Sequence, residues 1–361
     1  CIQAQVEEAR CYIYGKGIDK DEEKGVKMIK NLAEESKHPY AKARLASLYT
    51  DGVEDVVEKD NEKALALLKE CKEEPYGLYL MGQLYFNNNG YEIDYPKAMD
   101  YFKKAYELGH GYSASLLGYM YQYGKGVSPN IQEAISWYTK AANMRGNTIA
   151  MMNLANIYYE NDSLKNIQQT LSWLRKAAKF GNGDAYDKIG YFYTLGEGVE
   201  KNDSLAFENY KKAAELKSAN GALNLGVQYI LGSGTAKDLK EGEKWYLKAV
   251  EYGNAEAAWR LSCNYTNGDL FPKDEIKAEE FLQKALKAKH PEACCLMGYR
   301  YYLGKSVEKD NQQAFIYYKL AADQGHLDAC KSVAYFYKSG EGCTKDLKKA
   351  EEYENKAKGK G

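Results

Sequence analysis

Eight cysteines and four histidines are the residue types in this 361-residue chain best suited to nucleophilic, redox or metal chemistry. Zinc sites need ligands grouped at short intervals, as in paired CxxC or HExxH patterns, and neither pattern occurs. His110, His290 and His326 fall at one recurring position before a helix, where Asn147, Asn182, Ser218 and Asn254 stand elsewhere. His38 lies within a residue of it and, like His290, precedes a proline. A polar residue ahead of Pro at a helix start is a capping arrangement, so the histidines read as caps or surface residues. The cysteines show no pairing. Cys71 replaces an alanine, Cys343 a valine and Cys11 a Leu or Ile of recurring columns, and Cys294 and Cys330 occupy equivalent positions. Equivalent sites in stacked hairpins lie about 10 Å apart, beyond disulfide reach. These thiols read as small buried hydrophobes, which favours a reducing, cytoplasmic setting. Gly-Lys-Gly at Gly15 and Gly124 lacks the remainder of a phosphate loop. The Asn-x-Ser/Thr sequons at Asn161, Asn202 and Asn264 are at chance level. No catalytic residue, cofactor or metal is expected.

Fifty Lys and Arg balance fifty-one Asp and Glu, for a net charge of −1. No general positive field exists to draw in nucleic acid. With a mean hydropathy of −0.64 and no long apolar run, no transmembrane helix is expected. The chain opens on Cys1. A processed lipoprotein, with a lipid anchor at Cys1, and a chain trimmed at its start both fit that opening. A lipoprotein or secreted form thus stays open beside the cytoplasmic one.

The unusual residue is Tyr, with 34 copies, and its cause is a repeat. Tyr12, Tyr49, Tyr85, Tyr121, Tyr158, Tyr193, Tyr229, Tyr265, Tyr301 and Tyr337 follow one another at 36-residue steps, with 35 and 37 as the exceptions. Three residues earlier every copy carries Gly, Ala or Ser, from Ala9 to Ala334, and a second small column runs from Gly25 to Ala350. Facing small columns let two helices cross closely. Three residues after the Tyr come only Gly or Asn: Gly15, Gly52, Asn88, Gly124, Asn161, Gly196, Gly232, Gly268, Gly304 and Gly340. These tolerate the left-handed conformation that ends a helix. Then come only Asp or Asn, from Asp21 to Asp346, as N-caps of a second helix.

Each unit is therefore a first helix of about eleven residues, a Gly-rich turn and a second helix of about thirteen. Such a hairpin cannot bury its apolar face alone, so the units must stack. The expected fold is all-α: a right-handed superhelical α/α solenoid of about ten 36-residue repeats, filling 1–361 as one domain. The units start near 4, 41, 77, 113, 150, 185, 221, 257, 293 and 329. The column Tyr is assigned to the core. Glu8 and Glu354, standing where other units are apolar, read as polar end caps.

The unit Ala114-Ser-Leu-Leu-Gly-Tyr-Met-Tyr-Gln-Tyr-Gly-Lys-Gly-Val, followed by Glu133-Ala-Ile-Ser-Trp-Tyr-Thr-Lys-Ala-Ala, resembles the Sel-one-like repeat, a relative of the tetratricopeptide repeat. The resemblance covers about 350 residues and implies a non-enzymatic adaptor that binds another protein. The family includes subunits of endoplasmic-reticulum degradation complexes, chitin-synthase activators and secreted or periplasmic bacterial proteins. A cysteine-rich branch staples each repeat with a disulfide, which would need two Cys per unit at fixed positions; that pattern is absent. By the same resemblance the first helices line a concave face. The columns that would look into it hold Tyr40, Tyr76, Tyr79, Tyr112, Tyr119, Tyr159, Tyr191, Trp259, Tyr299, Tyr302 and Tyr335. Tyr offers large apolar area with a polar tip at low entropy cost, so a partner peptide or helix is expected there. Some of these rings are expected to pack on a neighbouring unit instead. A carbohydrate or cell-wall ligand is the alternative, since aromatic stacking suits it equally.

Overall fold

The computed structural model describes residues 1–87, 92–144 and 146–359. Asn88, expected at a helix end, lies outside the described residues. Among them there are twenty helices and no strand; the nearest approach is a single bridge between Val53 and Val57 in the enlarged loop of the second repeat. The chain divides into two compact units, Cys1–Phe180 and Gly181–Gly361, each built of five helical hairpins.

The first unit contains α1 (Ile2–Tyr14), α2 (Glu22–Glu35), α3 (Pro39–Asp51), α4 (Asn61–Lys69), α5 (Pro75–Phe86), α6 (Tyr95–Glu107), α7 (Gly111–Tyr123), α8 (Ile131–Asn143), α9 (Thr148–Glu160) and α10 (Ile167–Lys179). The second contains α11 (Gly183–Leu195), α12 (Asp203–Glu215), α13 (Ala219–Leu231), α14 (Leu239–Glu251), α15 (Ala255–Asn267), α16 (Glu275–Lys287), α17 (Pro291–Leu303), α18 (Asn311–Ala322), α19 (Leu327–Ser339) and α20 (Leu347–Ala357). Most first helices run to thirteen residues, not eleven, and begin two residues ahead of the expected starts. Prolines at the first helical position (Pro39, Pro75, Pro291) and capping side chains such as Asn147, Asn182 and Ser218 open the helix earlier than the apolar pattern does.

The second-helix caps are as expected. Asp21, Asp60, Asp94, Asn130, Asn166, Asn202, Asp238, Asp274, Asp310 and Asp346 each accept a backbone N–H of the first turn. In all ten hairpins the backbone N–H of this cap also donates to the carbonyl of the column Tyr, at 2.7–3.0 Å. One residue thus caps its own helix and ties it to the end of the preceding one. Asn161 departs from expectation: it is extended (φ −88°), not left-handed. Its loop is one residue shorter than the usual one, and its side chain accepts from the Ser163 N–H at 3.1 Å.

The small columns are all buried, and the glycines among them have a specific partner. A Cβ added at Gly82, Gly118, Gly190, Gly226 or Gly298 would come within 2.5–2.9 Å of the ring of Phe102, Tyr138, Tyr210, Tyr246 or Tyr318 respectively. Where the first helix carries Ala or Ser instead, the matching second-helix residue is Ile29, Leu68, Leu174 or Leu282 for Ala9, Ala46, Ala155 and Ser262, and the end-cap Glu354 for Ala334 in the last repeat. The missing methyl makes room for the ring.

The column Tyr is not core throughout. Only Tyr265 and Tyr337 are buried; the other eight are half-buried. Their rings lie along the flank of the hairpin, stacked on a second-helix ring in Tyr85–Tyr101 and Tyr301–Tyr317, with Lys24 Nζ 3.7 Å from the Tyr12 ring centre and Lys97 Nζ 4.0 Å from that of Tyr85. Interior burial would strand the phenol hydroxyl, whereas a flank position buries one face and leaves the hydroxyl to water. At the ends, Glu8 is exposed and Glu354 bonds to Lys338.

Candidate functional site

No three His, Cys, Asp or Glu side chains among the described residues come together as metal ligands. All eight cysteines are unbridged, and Cys71, Cys294 and Cys330 are buried. Burial pushes the Cys71 thiol up to about 12, so its nucleophilic thiolate is disfavoured at neutral pH. Among the described residues, the exposed aromatic rings other than Phe180 lie on the first helices, while Trp137, Trp173 and Trp245 on second helices are half-buried under lysines.

In the first unit four of the expected residues form one run across consecutive repeats. Arg44 on α3 holds the hydroxyl of Tyr40 through Nε and Nη2, at 3.1 and 2.9 Å, and lays its guanidinium 3.8 Å from the ring centre of Tyr76 on α5. Tyr40 in turn bonds to Glu7. Tyr76 stacks on Tyr79 at 5.8 Å, and Tyr112 on α7 meets Tyr79 edge-on at 5.6 Å. Tyr79 corrects the sequence reading: at 9% exposure it belongs to the interior, packed against Phe102 and covered by the His110 ring at 4.5 Å. A partner cannot reach its face. Tyr40 and Tyr76 are half-buried, and Tyr112 is exposed. Tyr119 is exposed and pairs with Tyr123 at 4.6 Å; Tyr159 is half-buried beside Lys165.

In the second unit Tyr191, Tyr299 and Tyr335 are exposed, and Tyr302 is half-buried against the edge of Tyr335. Trp259 on α15 is half-buried, stacked on His290 with ring centres 5.8 Å apart. His290 Nε2 lies 2.9 Å from Glu256 and its Nδ1 3.2 Å from Glu292. Trp259 and Tyr299 line a cleft of about 660 Å³ together with Leu296, Arg300 and Lys305.

Two of the four histidines act as the sequence reading has them: His38 and His326 cap their helices through Nδ1. His110 and His290 make no side-chain cap bond. Each lies against an aromatic ring thirty-one residues earlier, Tyr79 or Trp259. Burial, with the nearby Arg44 charge, lowers the His110 pKa to about 4 and keeps the ring neutral. The signal that would have found these contacts was present: only the repeats with an aromatic at that first-helix position are followed by a non-capping His. Arg44 and Glu7 share one position of the repeat, five residues before the column Tyr. Arg recurs there once, as Arg260, which pairs with Glu256 on its own helix, so the position did not mark the link from Arg44 to Tyr40 and Tyr76.

The Sel1 repeat family model matches ten times, at residues 2–35, 39–70, 75–110, 111–145, 148–182, 183–218, 219–254, 255–290, 291–326 and 327–358. No curated protein sequence matches. Among solved structures the chain is similar to c5321, a protective antigen present in uropathogenic Escherichia coli strains and displaying an SLR fold. The identity is 30% over 99% of this chain and 76% of that one, with a TM-score of 0.55. It is also similar to a Sel1 repeat protein from Oxalobacter formigenes, at 30% identity over 71% of this chain and 99% of that one, with a TM-score of 0.60.

Proposed function

The chain belongs to the Sel1 repeat family, whose members generally mediate protein–protein interactions, and from that premise we propose that it is a non-enzymatic scaffold holding a partner peptide or helix on the aromatic face of its first helices. One observation carries the reading. Tyr119, Tyr191, Tyr299 and Tyr335 occupy the same position in four repeats and are 37%, 46%, 48% and 45% exposed. A large ring kept in water at a repeated position costs solvation without adding to the core. The same rings buried in an interface would be its anchors.

Contact of this kind depends on apolar area more than on charge, so affinity should fall little between low and high salt. The test is capture of a partner from the native source, followed by titration of that partner against Tyr119→Ala and Tyr299→Ala. Each exposed ring is expected to contribute about 2 kcal/mol of binding. Unchanged affinity in both variants would refute the aromatic-face assignment. A glycan array run in parallel addresses the carbohydrate alternative: glycan binding lost in the same variants, with no protein captured, would replace the peptide reading.

A further inference from the structure

In three repeats the second glycine of the interhelix loop lies against the start of the preceding repeat's second helix. A Cβ at Gly126 would sit 2.5 Å from Tyr95 Cβ, and at Gly234 or Gly342 2.1 Å from the carbonyl oxygen of Asp203 or Asn311. These glycines have φ of 75°, 70° and 69°, so conformation and space both require the missing side chain. The ninth repeat carries Ser306 at this position, still left-handed at φ 64°. Docked as its counterparts are, its Cβ would overlap the backbone of Glu275. The loop therefore stands off from α16, and Ser306 and Glu275 both line the 660 Å³ cleft. The core also divides at this joint. One cluster reaches Phe281 and another begins at Cys294, with only a small group around Leu282 and Ala293 between them.

The lining has a defined chemistry. Trp259, Leu296 and Tyr299 supply apolar surface, and the stack on His290 fixes the Trp259 ring. Of the charged groups, Lys273 pairs with Glu275 at 3.1 Å and Arg300 with Glu279 at 2.9 Å. Lys305 is exposed and has no ion-pair partner among the described residues. The cleft thus has one apolar wall, of Trp259, Leu296 and Tyr299, set among polar groups, with one uncompensated positive charge at its rim. Its volume suits a large side chain and its neighbours.

We propose that this cleft docks a segment of a partner protein in which an aromatic or large aliphatic side chain is flanked by Asp or Glu. The apolar side chain lies on Trp259, Leu296 and Tyr299, and the carboxylate faces Lys305. This rests on the partner-binding reading above and adds the chemistry of the bound segment.

The test uses the full chain and two probe peptides, acetyl-Gly-Phe-Glu-Glu-Gly-amide and its counterpart with Lys in place of Glu. Binding is followed by the indole N–H resonance of Trp259, identified by its loss in Trp259→Phe, and by ring signals of labelled tyrosines. The acidic peptide is expected to shift Trp259 and Tyr299, and the basic peptide to bind about fivefold more weakly. Lys305→Glu, a surface change that leaves the core intact, should reverse that preference. A Trp259 resonance unmoved at millimolar acidic peptide, or a preference unaltered by Lys305→Glu, would overturn the proposal. Shifts confined to Tyr119, Tyr191 and Tyr335 would also overturn it, while leaving the broader aromatic-face reading standing.

Discussion

Replacing Gly118 by Ala tests the packing rule that sets the distance between the two helices of a hairpin. The new Cβ would lie 2.7, 2.8 and 2.9 Å from Cδ1, Cε1 and Cγ of Tyr138, closer than carbon atoms tolerate. Tyr138 has no exposed surface, and its hydroxyl donates to Gln122 Oε1 at 2.9 Å, so the ring has no open space to swing into. Overpacking of this kind costs about 1–3 kcal/mol, partly offset by about 1 kcal/mol of helix propensity gained on replacing Gly. Tyr138→Leu alone leaves part of the ring volume empty and should cost about 1–3 kcal/mol. The fourth and fifth repeats differ here in a way that suggests the rescue, because Ala155 is matched with Leu174. The double variant Gly118→Ala, Tyr138→Leu should keep the propensity gain and lose the clash. Its coupling energy, read from urea denaturation followed by circular dichroism, should be favourable by about 1–2 kcal/mol. Costs that simply add, within about 0.5 kcal/mol, would refute the complementarity of glycine and ring.

Other expectations follow from the same contacts. The folded-state pKa of His110 is lowered to about 4 from an ordinary 6.5, so an unfolded chain takes up a proton that the native one refuses. The stability contributed by the neutral ring is therefore complete above pH 6.5 and lost as pH falls toward 4, by at most about 3 kcal/mol; His110→Phe should flatten that part of a stability profile measured against pH. Asp310→Ala removes the acceptor for the Gln312 and Gln313 N–H groups, at 2.8 and 3.0 Å, and should lower stability by about 1 kcal/mol in the same denaturation assay. Ser306→Gly relieves a left-handed non-glycine residue, and should raise stability by about 1 kcal/mol while weakening the acidic probe peptide as the loop closes. A simultaneous gain in both quantities would contradict the account of the cleft.

The architecture was legible in the sequence because its determinants are local. A cap reaches two or three residues along the chain, and the Gly–ring pairs lie twenty apart inside one hairpin, so every copy repeats the same short-range geometry. Periodicity therefore identified the ten hairpins, their caps and their small interfaces. It misplaced helix starts by two residues, because Pro and polar caps open a helix before its apolar pattern begins. It also assigned the column Tyr to the core. A repeated residue type shows that a position is constrained, and a ring pinned on the flank by its backbone carbonyl is as constrained as a buried one.

The aromatic face was legible only as a set of positions. Tyr79 and Tyr112 share one small patch, yet one is buried and the other exposed, because a histidine thirty-one residues later covers Tyr79. Likewise the departure of Ser306 from glycine reads as a minor change until the preceding helix shows what would lie beneath it. Sequence by itself determined each hairpin, since its contacts close within one repeat. Tertiary structure decided exposure and the opening of the cleft, since both depend on how closely adjacent repeats approach, a distance that no single repeat encodes.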